Sequence, residues 1–179
     1  MRRTALIAAI ALAGCGASVV QRPHRRALSR IAVAQANHAY PAPAALRQPV
    51  SAAAGSPSAA LAAFARDYIN WTADSVAGDM ASLAARSIGQ ARAAAQLAAA
   101  ETASDYELHR DGIANSGAVE AIAPLAGGAH EFVVVTRERT SATGTSAYQG
   151  LQPAWHVAIA TVSEIGPGEW VVSGWQPQS

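Results

Sequence analysis

Ala154-Trp155-His156-Val157-Ala158-Ile159-Ala160-Thr161-Val162-Ser163 leads through Gly166-Pro167-Gly168 into Trp170-Val171-Val172-Ser173-Gly174-Trp175. The first run alternates, placing Trp155, Val157, Ile159 and Thr161 on one side. Both runs are dominated by β-branched, aromatic and small residues, so each reads as a strand. Gly-Pro-Gly makes a tight turn, and the two strands therefore pair as an antiparallel hairpin ending at Pro177. Working back toward the N-terminus, Phe132-Val133-Val134-Val135-Thr136-Arg137-Glu138-Arg139-Thr140 is a third strand. Asn115 to Ala123, with Val119, Ala121 and an offset Ile122, is a fourth. Thr143-Gly144-Thr145 marks a turn in a polar loop.

Before Ser104 the period changes. Ser56-Pro57 has the form of a helix start, with the serine as N-cap and the proline where its missing N–H costs nothing. Leu61, Phe64, Tyr68 and Trp71 follow at spacings of three and four, which defines one apolar helix face. Thr72 or Asp74 is placed to cap a second short helix carrying Val76, Met80 and Leu83. A third helix, from Ile88 to about Ala103, is mostly alanine with polar residues, so propensity favours it while little in it demands deep burial. Helices followed by antiparallel strands give an α+β domain, with the helices packed on one face of a curved sheet.

The domain is expected to span 58–179. Residues 15–57 read as a flexible linker, since they lack a period and contain Pro23, Pro41, Pro43, Pro49 and Pro57 among alanine, serine and glutamine. The formal charge of +1 conceals a separation. Residues 16–57 carry five arginines and no acid, whereas 58–179 carry six arginines against twelve acids, a net of −6. A basic linker beside an acidic domain suits a chain near anionic headgroups, where each arginine gains on the order of 1 kcal/mol, and equally suits a merely solvated segment. The acidic domain argues against nucleic-acid binding.

At the start, Met1-Arg2-Arg3-Thr4 precedes the apolar run Ala5-Leu6-Ile7-Ala8-Ala9-Ile10-Ala11, which is too short to span a bilayer stably and reads as a cleaved secretory signal over 1–14. Leu12-Ala13-Gly14-Cys15 resembles the lipobox of bacterial lipoproteins, which implies lipidation at Cys15 and attachment to the outer leaflet of the cytoplasmic membrane. Cys15 is the only cysteine in the chain, so no intramolecular disulfide forms, and lipidation accounts for an otherwise free thiol in an exported protein.

Phe64-Ala65-Arg66-Asp67-Tyr68-Ile69-Asn70-Trp71 at the front of the domain, with Trp155-His156-Val157 and Trp170-Val171-Val172-Ser173-Gly174-Trp175-Gln176-Pro177 at its end, resembles the nuclear-transport-factor-2-like cone fold. Within it the likeness is to TcpC-like proteins of conjugation and type IV secretion machinery and to actinobacterial proteins associated with mammalian-cell-entry transporters. Those relatives usually carry an N-terminal transmembrane helix where this chain has a lipobox. The resemblance implies a pocket between sheet and long helix. Pocket candidates are Tyr68, Trp71, Trp155, His156 and Arg137, and the polar groups weighed as an acid or base are Asp67, Tyr68, Asp79, His109, Arg137, Glu138 and His156. On the alternation of the strand, Arg137-Glu138-Arg139 is expected to form exposed cross-strand pairs.

The five histidines are scattered and no second cysteine joins them, so no metal site is expected. Neither a phosphate loop nor a Gly-x-Ser-x-Gly elbow is present, and no cofactor is expected. The leading expectation is a non-enzymatic lipoprotein serving as an interaction or assembly module of an envelope complex, with protein partners. The alternatives are a pocket protein that binds an apolar small molecule, with a cavity behind Tyr68 and Trp155, and a cone-fold enzyme of the isomerase or cyclase type.

Overall fold

The computed structural model describes residues 49–178. The signal segment, Cys15 and most of the linker fall outside them. Among the described residues, four helices precede and flank a single sheet: α1 Pro57–Ile69, α2 Val76–Ala85, α3 Gly89–Ala103 and α4 Tyr106–Asp111. The strands are β1 Trp71–Thr72, β2 Ala114–Pro124, β3 Glu131–Ser141, β4 Ala154–Gly166 and β5 Glu169–Gln178, in the order β1-β2-β3-β4-β5 with every neighbour antiparallel. The domain is thus α+β, with helices against a strongly curled half-barrel.

The curl has local causes. Register shifts between Val119 and Ala121, between Thr161 and Val162, and between Glu164 and Gly166 each insert irregularity into one strand, and such bulges bend and twist the ladder. The first also explains the offset of Ile122. Val119 and Ile122 oppose Thr136 and Val134, so a spacing of three keeps both on one face.

α1 begins as its sequence dictates, with the Ser56 hydroxyl accepting from the Ala59 N–H at 3.2 Å and Pro57 in the first turn. It buries Leu61, Phe64, Ala65 and Ile69. It ends before Trp71, because Asn70 is extended and its side chain is engaged elsewhere: the amide donates to the Arg66 carbonyl at 2.8 Å and exchanges two hydrogen bonds with the backbone of Gly117. Trp71 therefore sits in β1, opposite Asn115, rather than on the helix. α2 is preceded by Ser75 rather than by Thr72 or Asp74, and it buries Val76, Met80 and Leu83 as the spacing requires. α3 buries only Ala91 and Ala95, whose small side chains permit close approach. α4 is a helix beyond the sequence expectation. Its signals are nonetheless local: Asp105 caps the Leu108 N–H at 3.0 Å, and Gly112 ends it with φ 56°, where any Cβ would collide with Thr143.

β4 alternates as its sequence does, and the packing of the helices decides which side faces in. Ala158, Ala160 and Val162 are buried under the helices, while Trp155 and Val157 are exposed on the convex side and Ile159 and Thr161 are half-buried there. The concave side lies close beneath α1, so it takes the small alanines, and the bulky alternates are left outside.

The last part of the expected linker is bound to the domain. The Ala54 and Trp170 backbones exchange hydrogen bonds of 2.9 and 2.8 Å, the Ser51 N–H donates to Ala85, and the Arg92 guanidinium donates to the Pro49 carbonyl at 2.6 Å. Arg92 also donates to the carbonyls of Ala84, in the last turn of α2, and of Ser87, just beyond that helix, so one cation ties three backbone positions. Further along β5, the Ile88 N–H donates to Val172, and the Gln90 amide bonds both the N–H and the carbonyl of Trp175 at 2.7 and 3.1 Å.

Candidate functional site

The register of β2, β3 and β4 decides what faces the helices. Asn115 opposes Thr140, Gly117 opposes Glu138, and Thr136 opposes His156. Asn115, Thr136, Glu138, Thr140 and His156 therefore share the concave face, and Arg137, Arg139 and Trp155 share the convex one. Glu138 projects inward, which corrects the expectation of exposed charge pairing along Arg137-Glu138-Arg139. Arg137 does make a cross-strand contact, but with an aromatic ring: its guanidinium lies 5.8 Å from the centre of the Trp155 ring.

An open cleft of about 360 Å³ lies between the concave face and the helices, lined by Tyr68 and Trp71 at one wall, Met80, Ala98 and Thr102 at another, and Asn115, Glu138, Thr140 and His156 along the sheet. Three of the five pocket candidates, Tyr68, Trp71 and His156, are brought together here. Trp155 and Arg137 are not, because their strand positions have the opposite parity. Trp155 is 62% exposed and does not line this cleft.

Glu138 is held by neutral donors. The Asn115 amide donates to one carboxylate oxygen at 2.7 Å and the Thr136 hydroxyl to the other at 2.5 Å. Asn115 is itself buried; the same amide donates to the Ile69 carbonyl at the end of α1 at 2.8 Å, and its oxygen accepts from Thr140 at 3.2 Å. One side chain thus joins helix end, sheet and carboxylate. Gly117 leaves room for the Glu138 side chain, since a Cβ there would lie 2.6 Å from the Arg137 carbonyl and 3.1 Å from Glu138 itself.

Tyr68 stands on the last turn of α1, stacked with Phe64 at 6.1 Å and tilted against Trp175 at 5.3 Å. Burial pushes its phenol above the ordinary tyrosine value, and the negative charge of Glu138 adds to that rise. The Trp175 indole N–H pulls weakly the other way, although it is buried and no hydrogen bond of ordinary geometry joins it to a partner. His156 stands exposed at the mouth of the cleft, and its ring makes no hydrogen bond among the described residues.

The remaining polar candidates lie elsewhere. Asp67 accepts from Arg86 at 2.7 Å and from Arg66 at 3.2 Å on the outside of α1. Asp79 is in the first turn of α2, and the His109 ring faces the Thr102 carbonyl at 3.2 Å. A wider groove of about 600 Å³ runs along α2 and α3 beside Pro49, but its wall is mostly small apolar residues, and the guanidinium of its one cation, Arg92, is engaged with backbone carbonyls. Sequence reasoning left Asn115 and Thr136 out of the site. The signal that would have found them is the inward parity of Glu138, which brings every second residue of β3 and its partners with it.

No family model, curated protein or solved structure matches the chain. Among the described residues no histidine, cysteine, aspartate and glutamate side chains gather into a group able to hold a metal ion, and no helix is long and apolar enough to cross a membrane.

Proposed function

We propose that the chain is a lipid-anchored, extracytoplasmic protein whose domain, a cone of the nuclear-transport-factor-2-like kind, binds a small molecule in the cleft between α1 and the concave sheet. One observation carries the binding reading: a single carboxylate, Glu138, is turned into an aromatic-walled recess and oriented there by a buried asparagine and a threonine. Recesses that are mostly apolar with a few convergent polar groups are the usual form of a small-molecule site. The lipobox sequence ending at Cys15 supports the tether. The cone assignment rests on the order of helices and strands and on the curl of the sheet.

A fragment set screened by ligand-observed NMR tests the cleft. Ala98→Trp places an indole inside it, and hits that survive this substitution in a folded protein place binding elsewhere. Turnover of a hit, abolished by Glu138→Gln or His156→Ala, would replace binding by catalysis. The tether is tested by mass spectrometry of membrane-extracted protein, which should show an N-terminus at a lipid-modified Cys15.

A second reading, assembly with protein partners of a conjugation or secretion complex, is favoured by the convex face. Trp155 and Val157 stand exposed there beside Arg137, and tryptophan and arginine are the residues most often found at the centre of protein interfaces. Loss of a co-purifying envelope protein on Trp155→Ala, with the cleft intact, would support it.

A further inference from the structure

We propose that the cleft selects an organic cation, an amine or quaternary ammonium group borne on an apolar body, with the positive charge seated between Glu138 and the rings of Tyr68 and Trp71. The proposal rests on the cleft being a binding site and names what it takes.

The reasoning begins with charge. The carboxylate of Glu138 is half-buried, and both of its hydrogen-bond donors, Asn115 and Thr136, are neutral. None of the ten residues lining the cleft is an arginine, and the chain contains no lysine. The two arginines adjacent in sequence, Arg137 and Arg139, point to the convex side. The ion pairs among the described residues use Asp67 and Asp111, not Glu138. His156 lines the same cleft, yet it makes no hydrogen bond to the carboxylate. A negative charge drawn part-way out of water and given only dipoles in return is incompletely compensated, and a ligand that brings its own cation restores the balance.

The walls point the same way. The faces of aromatic rings attract cations, the more so where water is thinned, and Tyr68 and Trp71 line the recess alongside the carboxylate. Met80 and Ala98 supply apolar surface for the remainder of the molecule, with a polarizable thioether that adapts to its shape. An anionic ligand meets repulsion from Glu138, and a neutral one leaves the carboxylate as it was.

The test uses the full chain and three probes: benzyltrimethylammonium, its neutral carbon isostere neopentylbenzene, and phenylacetate. Binding is followed through the Trp71 indole ¹H–¹⁵N signal, assigned with Trp71→Phe. The cation should bind at least about ten-fold more tightly than its isostere, phenylacetate should not bind, and Glu138→Gln should bring the cation down to the level of the isostere. Equal affinity for cation and isostere overturns the inference while leaving a binding cleft in place, and that comparison needs no variant. A preference that survives Glu138→Gln overturns it as well. Failure of both the cation and the isostere to shift the signal removes the cleft as a binding site and the inference with it.

Discussion

Glu138 and Arg137 are consecutive residues of β3 and belong to two different surfaces. On the concave side, Val134, Thr136 and Ala160 are buried, and Asn115, Thr136, Glu138 and Thr140 are joined to one another by hydrogen bonds. On the convex side of the same strands, Arg137, Trp155 and Val157 are solvent-exposed, and the contact recorded there is a loose cation–ring approach. The lesson is that parity, not residue type, assigns the roles. A glutamate between two arginines looks like part of a charged surface, but the strand repeat carries it inward alone.

The sharpest way to break this comparison is to put the same charge on each side. Ala160→Asp places an unpaired carboxylate in a site with no exposure and should destabilise by more than about 3 kcal/mol or prevent folding. Ile159→Asp, one residue away on the convex side, should cost only about 1 kcal/mol, through lost half-buried contact. Urea denaturation separates the two, and equal losses would mean that the faces are assigned wrongly.

Asn115→Ala should have the next largest effect, about 1–3 kcal/mol, because it leaves the Ile69 carbonyl and a Glu138 oxygen without a donor in a half-buried setting. The same denaturation experiment reads it, and it should also weaken ligand binding if the orientation of Glu138 matters. Substituting Ser116, on the other side of β2, should change neither.

Tyr68 carries the contrast into pH, because it is the tyrosine packed against the concave side. Its value in the folded protein is raised, so the fold favours the neutral phenol. The stabilising contribution is fully present below the unfolded value of about pH 10 and is lost as pH rises through the higher folded value. Alkaline titration at the phenolate absorbance should show one tyrosine ionising late, and Tyr68→Phe should remove that late step along with part of the alkaline loss of stability. A titration in which all tyrosines ionise together would show that burial and Glu138 do not act on Tyr68 as described. The smallest effect belongs to Trp155→Ala, which should shift stability by no more than about 0.5 kcal/mol, since the ring covers little besides Arg137.

Much of the architecture was legible because it is written in local chemistry. Ser56-Pro57 announces α1, the three-and-four spacing of Val76, Met80 and Leu83 announces α2, and Gly166-Pro167-Gly168 announces the last hairpin. The site was legible only in part. Tyr68, Trp71 and His156 are legible by type, but the alternation of β4 says only which residues share a face and not which face turns inward, so Trp155 stands beside His156 as a candidate. Here the space beneath α1 admits alanine, and that distance is a property of the packed domain rather than of any strand. The bulge after Val119 is similarly invisible except as an apolar residue out of step. α4 was missed although Asp105 and Gly112 mark its two ends, because its six residues are too few to show a period.

The backbone contacts along β5 have a consequence for the company the protein keeps. β5 is the last strand of an open sheet, and an open strand invites another chain to extend it. Here Ala54 occupies the position at Trp170, the Ile88 N–H meets Val172, and the Gln90 amide imitates a neighbouring strand at Trp175. At the opposite margin, β1 is only two residues long. The β5 margin therefore offers few rungs to an intruding strand, whereas at the other margin β2 is met only at Ala114 and Asn115 by β1 and at Gly117 by the Asn70 side chain among the described residues, so an approaching chain would find its open edge there and not at β5.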